Sequence, residues 1–108
     1  MSRPSPVAMS VAEIADFLAQ GDLAVVAVPT ADGGLALRVS HYRAEGGALV
    51  LADAVPAGPG ACALVDTYPE YNRIKGAILR GTVAAEGQHS RFDTTRATGF
   101  DFAKMANP

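Results

Sequence analysis

At 108 residues and 49% apolar composition, the chain is long enough to bury one core and too apolar to be a disordered tail. A net charge of −2, no Trp and only seven other aromatic rings (three Tyr, four Phe) give neither a basic surface for nucleic acid nor stacking platforms for single strands. The single cysteine, Cys62, cannot form an intrachain disulfide, and no signal peptide or run of transmembrane length is evident. The expectation is a reduced, cytoplasmic protein with no nucleic-acid or membrane partner.

In chain order, residues 1–9 open with the turn-like "MSRPSP" and read as a flexible arm, and residues 10–108 as one domain. "SVAEIADFLAQGD" reads as a helix, with Ser10 as N-cap, Glu13 completing a capping box and Gly21 as the stop. Val11, Ile14, Ala15 and Leu18, with Phe17 beside them, form its apolar stripe. "DLAVVAVPT" is a first strand, "ADGG" a turn and "LALRVSHYRA" a second strand. "EGG" turns the chain into a third, "ALVLAD". "AVPAGPG" is a loop, "ACALVDTY" a fourth strand and "PEYNR" a connection. "IKGAILRGTVAAEG" is the fifth and longest strand. "QHSRFDTT" reads as a polar loop, and "RATGFDFAKM" as a short sixth strand.

Strands joined by short turns, with one small helix, predict a mainly β fold: a six-stranded antiparallel barrel. Val25, Val26, Val28, Leu37, Val39, Leu49, Leu51, Leu64 and Ile78 are expected inside it, with Leu18 covering one end.

Several chemistries drop out. His41, His89 and Cys62 lack zinc spacing, no nucleophile elbow or phosphate loop occurs, and carboxylates such as Asp66, Glu70 and Asp93 are scattered. What remains is a set of cations on strands, each readable as a solvated, snorkelling side chain with its stem on the barrel and its charge in water. Strand five carries Lys75 on one face and Arg80 on the other, among apolar residues. Arg80, between Ile78 and Thr82, requires a carboxylate, a subunit partner or an anionic ligand. Arg38 shares a strand-two face with Ala36, Ser40 and Tyr42. His41 is either a base, a haem ligand or a packing residue, and Tyr68 and Tyr71 either cover a flat ring or cap a barrel end. Cys62, in an apolar run, reads as an inert buried thiol.

The order of these pieces, with the Asp32-Gly33 turn and the later Lys75-Gly76 and Arg80-Gly81 pairs, resembles the pyridoxamine 5′-phosphate oxidase-like family, the FMN-binding split barrels. The resemblance spans roughly residues 10 to 105. It implies a six-stranded split barrel, a homodimer, and FMN at the dimer interface, or in some branches a deazaflavin or haem. It further implies a flavin-dependent oxidoreductase, with Arg38, Ser40 and Tyr42 facing the cofactor and Arg80 supporting its phosphate. No catalytic side chain is demanded, because the flavin carries the electron chemistry. The chain departs from the family after strand three, where members carry a basic segment and "ADAVPAGPGACALVD" has no Lys or Arg. Arg38 and Arg43 echo the family's Arg-to-Lys spacing only loosely. Pyridoxamine oxidase activity itself is not expected. The alternative is a cofactor-free, haem-binding or other small-ligand homodimer of the same fold.

Overall fold

The computed structural model describes residues 6–67 and 74–106. Its elements are a helix α1 (Val11–Gln20), strands β1 (Leu23–Pro29), β2 (Leu35–Glu45), β3 (Ala48–Leu51), β4 (Gly58–Thr67), β5 (Lys75–Glu86) and β6 (His89–Asp101), and a short helix α2 (Ala103–Ala106). The strands close into an antiparallel barrel in the order β1-β2-β3-β6-β5-β4. The mainly β, six-stranded reading therefore holds. "PEYNR", Tyr68 and Tyr71 lie outside the described residues.

The capping box forms as expected: the Glu13 amide donates to Ser10 Oγ, and the Ser10 amide to Glu13 Oε1. Lys104 Nζ donates to the same carboxylate at 2.8 Å and, with the Ser10 amide, holds its pKa down to about 2. The helix seats Ile14 and Phe17 on the barrel end, Leu18 is half-buried, and Val11 stands 86% exposed. A ten-residue helix lying across a barrel end buries the middle of its stripe and leaves its first turn outside. Val7 to Met9, expected in a flexible arm, run beside β6: the Met9 amide donates to Gly99 O and the Asp101 amide to Val7 O.

Residues 89–95, read as a loop, instead begin β6, whose 13 residues exceed the 12 of β5. Their polarity misled because Ser90 and Phe92 point inward while Arg91 and Asp93 alternate outward. Both edges of this segment are paired, to β3 and to β5. One residue disturbs the ladder. Arg80 pairs with Arg96 but Gly81 with Thr94, so Thr95 is an extra residue, and its Oγ1 donates to Arg80 O at 3.1 Å. Gly81 permits this, because any Cβ there would overlap the Asp93 carbonyl.

The interior holds Val26, Val28, Leu49, Leu51, Leu79, Val83 and Phe92, each at most 2% exposed. Five residues expected there are outside it: Val25, Leu37, Val39 and Ile78 are 39–61% exposed, and Leu64 is half-buried. Adjacent strand residues face opposite ways, so Val25 and Val26 cannot both enter one barrel. The two-faced strand five is resolved in the same way. Lys75 closes one barrel end, 3.6 Å from Asp101 and 5.8 Å from the centre of the Phe17 ring. Arg80 is on the outside.

Candidate functional site

The outward residues of five strands form two registered rows. One runs Val39–Val25–Leu64–Ile78–Thr98 and the other Leu37–Ala27–Cys62–Arg80–Arg96. Leu23 and Leu35, 46% and 65% exposed, extend the apolar end. The first row becomes polar only at β6, the second already at Arg80 on β5. A barrel face in contact with water alternates apolar-in with polar-out. This one is apolar on both sides of its strands over most of its width.

Two adjoining hollows mark the face. One of ≈ 250 Å³ is lined by Val25, Ala27, Cys62, Ala63, Leu64 and Ile78. Its neighbour, ≈ 320 Å³, shares Ile78 and adds Thr98, Arg80 and Arg96. Cys62, expected buried, is half-buried in the floor of the first.

Seven Lys and Arg residues are described, and Arg43, Lys75, Arg91 and Lys104 are in ion pairs. Arg38, Arg80 and Arg96 have no ion-pair partner among the described residues. Arg38 lies on β2 beyond the stretch that β3 pairs, with its Nη1 donating to Leu37 O at 2.8 Å.

The four residues singled out in the sequence do not converge. Arg38, Ser40 and Tyr42 share the inner face of β2, whereas Arg80 is on the outer face of β5. Ser40 is 1% exposed and Tyr42 7%, and each side chain is engaged in a hydrogen bond within the protomer. Ser40 Oγ donates to His41 O and accepts from the Asp53 amide. Ser90 Oγ makes the matching pair of bonds with Val55 N and O. Two buried serines thus staple the loop after β3, where the family's basic segment was sought. Tyr42 Oη donates to Leu18 O at 2.7 Å and fixes the helix end. Burial, and then the charge of Asp22, push its phenol up to about 12.

Sequence reasoning missed Arg96, because the polar stretch before it reads as a loop and leaves it at the start of a short strand with no register to Arg80. The available signal was Gly81, a glycine inside a strand, which marks a bulge or close approach. A third hollow, ≈ 330 Å³, lies on the other outer face and is lined by His41, Arg43, Val50, Ala52 and His89 among others. His41 Nδ1 is 3.7 Å from Asp22, and His89 Nδ1 is 3.2 Å from Ala52 O. No group of three or more metal-ligating side chains occurs among the described residues. No helix described is long and apolar enough to cross a membrane.

No family model and no curated protein matches the chain. Solved structures do. A conserved hypothetical protein of Mycobacterium tuberculosis superposes with TM-score 0.79 at 18% identity, covering 100% of this chain and 94% of that one. An FAD-binding protein of Mycobacterium smegmatis gives 0.73 at 16% identity, covering 87% and 95%. A candidate pyridoxamine 5′-phosphate oxidase of Corynebacterium glutamicum gives 0.72 at 12%, covering 87% and 95%. At these identities the likeness establishes the fold alone: the chain shares the six-stranded barrel of these proteins.

Proposed function

We propose that the protein is a homodimeric flavin-binding split barrel, an FMN-dependent oxidoreductase whose cofactor lies along the apolar outer face. The observation that carries this reading is that face itself, apolar across most of its strands and ending in guanidinium groups with no ion-pair partner among the described residues. A ligand with a flat apolar ring and an anionic tail matches both ends of it. An FAD-binding protein with the same fold supports the ligand class.

The residues present fit such a group. Val25, Leu64 and Ile78 would pack on the ring, and Arg80 would meet the phosphate. A bound flavin supplies the hydride and electron chemistry. This chain contributes a dry floor, a fixed orientation and charge at one end. Ser40 and Tyr42 act from inside, holding β2 so that Val39 and Leu37 stand in line with β1. A second copy covering the same face would remove the remaining apolar surface from water, and a stable pairing buries more than about 1,000 Å² in total.

A second reading draws on the stapled loop after β3, which brings no cation to the site: a cofactor-free or haem-binding dimer of the same fold. One experiment separates the two. The freshly purified protein is scanned for absorbance, its released ligand is weighed by mass spectrometry, and its mass is measured by sedimentation. A flavin spectrum with a dimer supports the first reading. A Soret band, or a dimer without absorbing ligand, supports the second, and a monomer at micromolar concentration sinks both.

A further inference from the structure

Arg80 and Arg96 are directly opposite each other across β5 and β6. Like charges so placed destabilise a strand pair, and side chains of directly opposed residues are close enough to act on one target. Neither has a carboxylate among the described residues. Their row neighbours are Cys62 and Ala27, and the adjoining row offers Ile78 and Thr98. On the other side the next outward pair is Thr82 and Asp93, and Asp93 is committed to Arg91 at 3.0 Å. Both guanidinium groups line one hollow of ≈ 320 Å³.

The pairing depends on the extra residue. Counted along an unbroken strand from the inward Phe92, Arg96 would fall on the inward face. Thr95 shifts it outward to meet Arg80, and Gly81 leaves the space that the shift requires.

We infer that Arg80 and Arg96 form one binding site for a dianionic phosphate group, two planar forks closing on a single tetrahedral anion. This rests on the reading above only for what carries the phosphate; the anion site stands without a flavin. It also places the charge for a phosphorylated ligand on β5 and β6, in a chain whose segment after β3 has none.

The test titrates the full-length protein with inorganic phosphate by calorimetry at fixed ionic strength, then with FMN and riboflavin. The variants are Arg80→Met, Arg96→Met and, as a control on the ion-paired face, Arg43→Met. Each Met change in the pair should weaken phosphate binding by about ten- to a hundredfold, the scale of a hydrogen bond to a charged group. Arg43→Met should leave it unchanged. FMN should follow phosphate, and riboflavin should not respond. Phosphate binding lost in the pair variants, with no flavin bound by any form, supports the anion site and removes the flavin. Phosphate affinity equal in wild type and pair variants overturns the site, as does an equal loss in Arg43→Met. A weakened dimer with unchanged phosphate binding also overturns it, assigning the arginines to a partner's carboxylates.

Discussion

The barrel has two outer faces built partly from the same strands, and they differ in kind. Around β3, Arg43 and Glu45 pair at 3.1 Å, Arg91 and Asp93 at 3.0 Å, and Arg91 reaches Glu45 at 3.6 Å. The Arg43 hydrogen bond, with the charges of Arg43 and Arg91, holds the Glu45 carboxyl below its ordinary range. The hydrogen bond that Arg91 Nε donates to Asp93 Oδ1 raises the pKa of Arg91. Around β1 and β4, Leu37, Val39, Val25 and Ile78 stand exposed, and the arginines at the margin have no such partners among the described residues. Both faces are outward by the same alternation. Geometry therefore decides which residues leave the barrel, and composition reports what they meet there. The first face is finished in water; the second calls for a ring, a second copy, or both.

The largest expected effect lies under the ion-paired face. Phe92, 0% exposed and registered between Leu49 and Val83, anchors that side. Phe92→Ala should cost about 3–5 kcal/mol in denaturant unfolding. A loss near the surface range of about 0.5 kcal/mol would remove the distinction between inside and outside.

On the apolar face the effect should be on association. Val25→Lys should leave protomer unfolding within about 0.5 kcal/mol, because its side chain is already outside. Dimerisation should weaken by about thirtyfold or more, the scale of a central contact worth about 2 kcal/mol. Sedimentation equilibrium reads the second quantity, and an unchanged dimer would make this face as self-sufficient as the other.

A smaller effect belongs to the strand that joins the faces. Tyr42→Phe removes the bond to Leu18 O and should cost about 1 kcal/mol. The folded phenol is raised from 10.0 to about 12, so its neutral form is favoured in the folded state. That contribution is fully present below pH 10 and is lost as pH rises towards 12. Unfolding followed over this window should fall off in wild type and flatten in the variant. Smallest of all, Arg43→Ala should cost less than about 1 kcal/mol, and added salt should shrink the difference. A larger, salt-insensitive loss would mean that the polar face is more than solvated.

Much of the fold was legible from local chemistry. Ser10 and Glu13 announced the helix, Asp32-Gly33 the first hairpin, and the β-branched runs their strands. The inside was only half legible, because Val25, Leu37, Val39 and Ile78 satisfy every rule for a core residue except parity. Parity becomes usable only when closure fixes which residue faces in. The site was less legible still. Arg80 stood out as a cation among apolar neighbours, but its partner lay just past a polar segment that reads as a loop, so no register joined the two. Ser40 and Tyr42 carried polar groups whose targets, Asp53 and Leu18, are set by tertiary packing.

The split in the barrel has its own consequence. Over Leu35–Ser40, β2 is paired to β1, while β3 pairs only with Tyr42–Glu45. No described strand pairs this margin, and a margin left unpaired is a template for strand addition, the first step towards aggregation. Its exposed leucines and valine would make an incoming strand welcome. Arg38 is the safeguard. It turns a charge to the inner side of this edge, where an added strand would have to bury it, and this would disfavour edge-to-edge pairing of neighbouring barrels. Arg38→Val would complete an apolar ribbon, and light scattering during storage would register the loss of that protection.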